Sequence, residues 1–304
     1  MFNKFIAWIL PIFPKRFVWL FSKNYIAGPY LEDAIRVGKE LNAQGAVTTI
    51  DLLGEFIDDL KEAEENKKAY INIIETAEKE GIRGNYSVKP TMFGLLLDQE
   101  VCYQNIREIV KTAASYNNFV RIDMEDSPCT DMEITLYKKL RHEFPTNVGL
   151  VFQSYMRRTF ADLQKLFDEE HTDEHPNNYR LCKGIYVEPK EIAFKDYDEV
   201  NQHYLEDLEF LLKNKEYVGI ATHDSFLVEN AYKLIEKYQV PKDKFEFQML
   251  YGVTPRLRQS IIDKGYKVRI YVPFGDDWFG YSTRRLKENP KMASHIMKAL
   301  FVKK

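Results

Sequence analysis

Ionisable and amide side chains recur near the C-terminal ends of short apolar runs along this chain. Lys89 lies in the second such run, near the expected end of its strand, Asp123 lies in the third and Lys183 lies in the fifth. The whole set is Lys89, Asp123, Glu125, Asp126, Gln153, Arg180, Lys183, Thr222, His223, Asp224, Gln248 and Tyr271. Burying so many polar groups is costly unless they pair or contact a ligand, which favours a ligand site. The alternative is a set of interior ion pairs, of Lys89 or Lys183 with Asp123, kept for packing.

The histidines differ in what they can do. In the segment IATHD, His223 stands beside a Thr and an Asp at the end of an apolar run, where either a ligand contact or a satisfied core histidine fits. His171 and His175 stand four residues apart in HTDEHP, without the Glu that follows the first His in the HExxH motif. These two indicate a solvated surface loop, and no metal site is expected.

An arginine pair near the C-terminus suits an anion. Tyr281, Arg284, Arg285 and Glu288 fall at helical spacings and project roughly together. Cations are disfavoured at the start of a helix, so adjacent arginines at such a place have no evident structural purpose. An anionic ligand accounts for them.

Eight apolar runs alternate with longer stretches of helical periodicity, and these elements must position the polar residues. The runs are 46–54, 86–95, 119–126, 148–155, 179–186, 218–224, 245–250 and 268–274. The helical stretches are 31–42, 55–80, 98–116, 131–144, 158–168, 198–212, 226–238 and 255–264. Neighbouring parallel strands need a crossover of this length between them, and eight parallel strands favour a closed (β/α)8 barrel. Active sites of such barrels lie at the C-terminal ends of the strands. An open doubly wound sheet is the alternative, but the chain contains no GxG loop for a dinucleotide.

Composition limits the class of protein. With 304 residues and 45% hydrophobic content, the chain can bury a core without metal or disulfide staples. We expect a single domain over 1–304, with an N-terminal helical arm at 1–45 and the barrel at 46–304. A net charge of -3 gives no field that attracts nucleic acid. Three scattered cysteines argue against a disulfide framework and favour a reducing, cytoplasmic compartment.

The segment 1–21 is unusually apolar and carries cations but no acidic residue. Pro11, Pro14, Lys15 and Arg16 interrupt it at its middle, so it neither spans a membrane nor ends in a signal-peptidase site. Two interpretations stay open: an interfacial membrane anchor, or short helices docked on protein.

Seven ordered segments resemble the proline dehydrogenase family. They are YSVKPTMFG, VRIDMEDS, VFQSYMRRTFADL, RLCKGIYVEP, IATHD, EFQMLYGV and RIYVPFGDDWFGYSTRRLKE. The resemblance runs from about residue 25 to residue 290. It implies a distorted (β/α)8 barrel with N-terminal helices, a C-terminal helix over the barrel mouth and non-covalent FAD bound without a Rossmann domain.

The resemblance also implies roles for individual residues. Those that would bind the substrate are Lys89, Arg284, Arg285, Tyr271, Tyr281 and Leu250, with Asp123 behind them. Those that would bind the flavin are Gln153, Arg180, Cys182, Lys183, Gly184, Ile185, Tyr186, Thr222, His223, Gln248 and Glu288. Cys182, Ile185 and Gly280 depart from the residues usual in the family, which are Val, Ala and Pro.

The activity implied by the resemblance is oxidation of L-proline to Δ1-pyrroline-5-carboxylate. A hydride passes from the ring carbon next to nitrogen to flavin N5, and the electrons go to a membrane quinone. A separate pyrroline-5-carboxylate dehydrogenase would take the product, because no second catalytic domain fits in this chain. The expected location is the cytoplasm, with peripheral contact at the inner face of the cytoplasmic membrane if segment 1–21 is an anchor.

Two other functions are compatible with parts of the pattern. A lysine desolvated inside a barrel strand, Lys89 or Lys183, is typical of a Schiff-base aldolase. A non-catalytic flavin-binding protein would keep the barrel, although the Arg284–Arg285 pair argues against lost turnover.

Overall fold

The computed structural model describes Trp19, residues 22–279 and Ser282. In this part of the chain eight parallel strands close into a barrel in sequence order. They are β1 (Val47–Leu52), β2 (Gly84–Val88), β3 (Val120–Ile122), β4 (Val148–Gln153), β5 (Asn178–Cys182), β6 (Tyr217–Ala221), β7 (Phe245–Leu250) and β8 (Val268–Phe274). Strand β1 pairs with β2 on one side and with β8 on the other, which closes the sheet. The predicted parallel barrel is therefore confirmed, and the open sheet was wrong.

Helices join the strands as the periodicity predicts. They are α1 (Leu31–Ala43), α2 (Leu60–Lys79), α3 (Gln99–Ser115), α4 (Thr130–Glu143), α5 (Thr159–Glu170), α6 (Tyr197–Lys213), α7 (Ser225–Lys237) and α8 (Pro255–Asp263). Helix α1 precedes the barrel, and one helix follows each of the first seven strands. The helix expected over the barrel mouth after β8, and residues 1–18, lie outside the described residues.

Capping residues and an apolar stripe explain why these segments are helical. Helix α3 begins after Asp98, whose carboxylate accepts hydrogen bonds from the backbone N–H groups of Glu100 and Val101. Its buried face includes Ile106 and Ile109, which pack in the core outside the barrel. An N-cap of this kind stabilises a helix by about 0.5 to 2 kcal/mol. It therefore favours a helix that starts directly after Asp98.

The strands are apolar on the outer face and polar on the inner face. In β7, Phe245 and Phe247 pack against the helical layer, whereas the alternating Glu246 and Gln248 point into the barrel. This follows from the two-residue period of a strand. The barrel interior thus carries charge, which differs from the branched apolar layers usual in this fold.

An ion pair closes the barrel at its N-terminal end. Arg269 donates from Nη2 to Glu246 at 3.1 Å and from Nη1 to the backbone carbonyl of Thr48 at 2.7 Å. Burial alone would raise the pKa of Glu246, but Arg269 and then Lys267 hold it well below its ordinary value. The strand glycine Gly219 makes room beside this pair, because a Cβ there would lie 2.2 Å from the side-chain nitrogen of Gln248.

Six strands are shorter than the apolar runs that predicted them, and β2 and β3 differ most. Strand β2 ends at Val88, because Pro90 has no N–H for the ladder and starts a 3-10 turn that Gly94 closes at φ +95°. Strand β3 ends at Ile122, and beyond it the N–H of Glu125 donates to the side chain of Glu133 rather than to a strand. The carboxylates placed on β3 by the sequence therefore lie in the loop that follows.

Candidate active site at the barrel mouth

The C-terminal ends of the strands surround a cavity of about 710 Å³, which is within the usual range for a ligand site. Every strand, or the loop that follows it, contributes to its wall. The lining includes fourteen of the residues expected to bind ligands: Lys89, Asp123, Gln153, Arg180, Cys182, Lys183, Gly184, Ile185, Tyr186, Thr222, His223, Gln248, Leu250 and Tyr271. The remaining four, Tyr281, Arg284, Arg285 and Glu288, lie outside the described residues.

Asp123 connects three strands at the floor of this cavity. Its Oδ1 accepts a hydrogen bond from Arg180 Nη1 at 2.7 Å and one from Ser87 Oγ at 3.0 Å. Its Oδ2 accepts the hydroxyl proton of Tyr271 at 2.8 Å. Burial, followed by the charges of Asp123 and Asp51, raises the pKa of Tyr271 well above its ordinary value. Tyr271 is therefore a neutral hydrogen-bond donor held in place.

Lys89 pairs with Asp51, a residue that the sequence reasoning missed. Lys89 Nζ donates to the two carboxylate oxygens of Asp51 at 2.9 and 3.0 Å. The alternative pairing of Lys89 with Asp123 was therefore wrong. Asp51 stands inside the first apolar run, and its inward orientation follows only from the register in which β1 pairs with β2 and β8.

The other two cations also have partners that differ from the predicted interior pair. Arg180 donates from Nε to the amide oxygen of Gln248 at 2.6 Å, in addition to its bond with Asp123. Lys183 forms an ion pair with Asp224 at 2.7 Å. Pairing of Lys183 with Asp123 was therefore wrong as well, because Lys183 follows β5 and lies close to the loop after β6.

Gln153 and His223 are oriented by backbone groups. Gln153 Nε2 donates to the carbonyl of Glu125 at 2.8 Å, and Gln153 lines the cavity. The backbone N–H of Leu250 donates to His223 Nε2 at 2.8 Å, so this ring nitrogen is an acceptor and the ring is the Nδ1–H tautomer. His223 both stabilises the ends of β6 and β7 and lines the cavity.

The wall of the cavity combines apolar side chains with charged ones. Met124, Val151 and Met249 supply apolar surface, and Arg180 and Lys183 supply positive charge. In the residues that the structure describes, no group of three or more His, Cys, Asp or Glu side chains could hold a metal ion.

The histidines of the HTDEHP loop lie elsewhere. His171 Nδ1 lies 2.9 Å from a carboxylate oxygen of Glu216, at the end of α5 and away from the mouth. This contact makes His171 only partly exposed rather than fully solvated.

No described helix combines the length and the apolar character needed to cross a membrane. Of the segment 1–21, Trp19 is described. Its ring lies 4.8 Å from that of Trp278, and it packs against Ile26 and Leu53. At this one residue the segment is docked on the barrel.

Comparisons with known proteins agree on one family. The family model for proline dehydrogenase matches residues 34–298. Proline dehydrogenase 1 of Bacillus subtilis is 33% identical over 282 residues, which covers 93% of this chain and 91% of that protein. Proline dehydrogenase of Deinococcus radiodurans is 33% identical over 287 residues, with the same two coverages.

A solved structure shows the same architecture. The structure of proline utilization A from Bdellovibrio bacteriovorus inactivated by N-propargylglycine matches with a TM-score of 0.80 and 25% identity. The match covers 89% of this chain and 33% of that one, so this chain spans about a third of the larger protein.

Proposed function

The chain belongs to the proline dehydrogenase family, and from this premise we propose that it oxidises L-proline to Δ1-pyrroline-5-carboxylate with non-covalent FAD as hydride acceptor. Membership makes it an oxidoreductase of proline catabolism. The proposed substrate and cofactor rest on one observation. A single cavity brings together a cation suited to a carboxylate, Lys89, and two cations suited to a flavin nucleotide, Arg180 and Lys183.

The residues at the mouth fit FAD. We propose that Gln153, Arg180, Lys183, Thr222, His223 and Gln248 bind it, with backbone and side chains of 182–186 around it and Glu288 contributing from outside the described residues. The positive charge of Arg180 and Lys183 suits phosphate and an electron-rich ring, and the apolar wall suits a flat ring system. When bound, FAD supplies the acceptor for the hydride, which no protein side chain can supply.

The substrate side of the cavity holds proline by its carboxylate. We propose that Lys89 binds this carboxylate together with Arg284 and Arg285, and that Tyr271, Tyr281 and Leu250 surround the ring. Asp123 fixes the hydroxyl of Tyr271 from behind. The main contribution of the protein is orientation, which presents the ring carbon next to nitrogen to the cofactor.

The ring nitrogen must be neutral before the hydride leaves, because its lone pair stabilises the developing imine. Tyr271 and Lys89 both carry their protons at neutral pH, since the pKa of each is raised. Neither is suited to accept the proton of the amine. We therefore propose that the amine loses its proton to solvent and that no strong protein base takes part.

The aldolase alternative is disfavoured by the electrostatics of Lys89. A Schiff-base lysine has to be a neutral amine, which requires a lowered pKa. Burial alone would lower the pKa of Lys89, but the carboxylates of Asp51 and Asp123 raise it above its ordinary value. Lys89 is therefore an ammonium group, which suits a carboxylate ligand.

We further propose that electrons pass from the flavin to a membrane quinone and that residues 1–21 bring the protein to the inner face of the cytoplasmic membrane. The apolar and cationic composition of this segment supports that contact. A separate pyrroline-5-carboxylate dehydrogenase takes the product. The remainder of the protein resides in the cytoplasm.

The test of the function uses the purified full chain. We expect a yellow protein that releases FAD on denaturation and oxidises L-proline with an artificial electron acceptor. A protein that binds FAD without proline-dependent turnover would indicate the non-catalytic flavin protein. A colourless protein that becomes covalently linked to a carbonyl substrate when borohydride is added would indicate the aldolase.

A further inference from the structure

Asp51 supports the ammonium group of Lys89 from below the barrel mouth. Asp51 is 0% exposed and Lys89 is 7% exposed, so the pair is almost completely removed from solvent. Both carboxylate oxygens accept from Lys89 Nζ, at 2.9 and 3.0 Å. The third donor of the ammonium makes a long contact of 3.4 Å with the Tyr271 hydroxyl. A ligand oxygen in the cavity can replace such a weak contact at little cost.

Packing alone is a poor reason for such a pair. Replacing a buried ion pair with apolar side chains of similar volume is often neutral or stabilising, because the pair must be desolvated. At the floor of a ligand cavity, however, a fixed cation has a use. The pair between Asp51 and Lys89 lies at that floor, and Lys89 is part of the cavity wall.

The charge state of Lys89 depends on its carboxylate neighbours. Burial alone would lower its pKa, and the opposing charges are Asp51 first, then Asp123 and Glu55. The ionisable groups that face this pair from the surrounding elements are Glu55, Tyr70, Asp123, Glu125, Arg180 and Tyr271. Burial raises the pKa of Asp51 and the Lys89 ammonium opposes that shift, while both oxygens of this carboxyl accept from the ammonium as in an ion pair.

We propose that Asp51 is a positioning residue for substrate binding, which holds the Lys89 ammonium charged and directed at the carboxylate of proline. This role rests on the proposed function, because it takes Lys89 as a ligand of the substrate. It extends that function to a residue that makes no contact with substrate itself.

The first variant is Asp51→Asn, which removes the charge and keeps the shape. This change weakens the charged hydrogen bonds that hold Lys89 in place for the substrate carboxylate. We therefore expect KM for proline to rise about 10- to 150-fold, with a much smaller change in kcat. The dissociation constant of cyclopentanecarboxylate, read from the flavin absorbance of the holoenzyme, should rise in parallel.

A pH profile separates positioning from general destabilisation. Without the Asp51 charge the pKa of Lys89 should fall, because burial then acts against fewer opposing carboxylates. In Asp51→Asn we therefore expect inhibitor binding to weaken as the pH rises through the alkaline range. In the wild type it should stay constant over the same range.

Two further variants test whether Asp51 acts through Lys89. Lys89→Met and the double variant Asp51→Asn, Lys89→Met should have the same KM within about a factor of two, since Asp51 has nothing left to position. The matched control is Glu216→Gln, which removes a buried carboxylate at the other end of the barrel, where it binds Asn177. It should leave KM unchanged.

Several outcomes would overturn the role of Asp51. A native KM and native inhibitor affinity in Asp51→Asn would do so. Lost flavin and a lowered Tm, with normal proline binding in the remaining holoenzyme, would show a merely structural residue. If Asp51→Asn does not fold, Asp51→Glu keeps the charge but moves it by one methylene. That variant should raise KM without the new pH dependence, and a native KM would again refute the proposal.

The proposed function and the role of Asp51 can be refuted separately. A wild type that does not oxidise proline refutes the proposed function and, with it, this role. An active wild type whose Asp51 variants bind proline normally refutes only the assignment of Asp51.

Discussion

Asp123 is the residue whose replacement should disturb the cavity most, because one carboxylate serves three donors. Asp123→Asn keeps the size of the side chain and removes its charge. An amide oxygen can still accept from Arg180, but the amide nitrogen then faces the hydroxyl of Tyr271, which has to turn to accept. Arg180, which is 7% exposed, loses the negative charge beside it.

The magnitude follows from the bonds that weaken. Hydrogen bonds that involve a charged group contribute about 1.5 to 3 kcal/mol each, and two of the three bonds at Asp123 come from residues that line the cavity, Arg180 and Tyr271. These two bonds sum to about 3 to 6 kcal/mol, and removing one partner of a buried pair costs about 3 to 5 kcal/mol. We expect kcat/KM to fall roughly 100- to several-thousand-fold if most of this energy serves the transition state.

Two milder variants at the same carboxylate provide the scale. Tyr271→Phe removes one charge-assisted bond and should cost about 10- to 150-fold in kcat/KM. Ser87→Ala removes the longest of the three bonds, at 3.0 Å, from a residue that does not line the cavity, and should cost about tenfold or less. Steady-state oxidation of proline with an artificial acceptor measures all three, and flavin content and Tm serve as checks on folding. An Asp123→Asn holoenzyme within about fivefold of the wild type would refute this reasoning, as would a reversed order of the three variants.

Three further predictions concern other parts of the molecule. Arg284→Met and Arg285→Met should each leave a yellow, folded protein but reduce kcat/KM about 30- to several-thousand-fold, because a planar guanidinium binds a carboxylate in a way that no neutral side chain can reproduce. Near-native kinetics in either variant would remove that arginine from the site. Deletion of residues 1–18, which keeps the docked Trp19, should reduce sedimentation of the protein with anionic vesicles. Proline oxidation with a soluble acceptor should continue in this variant. Unchanged sedimentation would argue against the membrane contact. Burial raises the pKa of Asp207 to about 7, so the folded protein binds this proton more tightly than the unfolded chain, and the stability that this group contributes should decline as the pH rises from about 4 to about 7. Asp207→Asn should remove on the order of 1 to 3 kcal/mol of that decline, measured by denaturant unfolding across this range, and identical pH profiles for the two proteins would contradict the assignment.

The fold could be predicted from the sequence because strand and helix have different apolar periods. The bounds of β7 and β8 agree with the predicted runs, since both strands stop where the apolar alternation stops. Strand β2 was predicted too long because the apolar residues continue past Pro90 in a 3-10 turn. Apolar periodicity alone does not show that a proline, which has no N–H to donate to the neighbouring strand, ends the strand.

The candidate site was only partly predictable, for a geometric reason. Residues such as Lys89 and Arg180 stand out because a charge inside an apolar run is rare. Their partners cannot be read in the same way, because which carboxylate meets which cation depends on how the strands are staggered around the barrel. Asp51 was missed for this reason, although a single acidic residue within the first run was a usable signal. The pairing with Asp123 was assigned wrongly for the same reason.

A single turnover without oxygen tests most directly whether bound FAD oxidises proline in this protein. Purified holoprotein mixed with saturating L-proline should lose the yellow absorbance of its oxidised flavin and form one pyrroline-5-carboxylate per flavin. The rate should increase with pH below the pKa of the substrate amine, since only the neutral amine reacts. Flavin that stays oxidised in the presence of proline, or a purified protein that never retains flavin, would contradict FAD-dependent oxidation of proline by this protein.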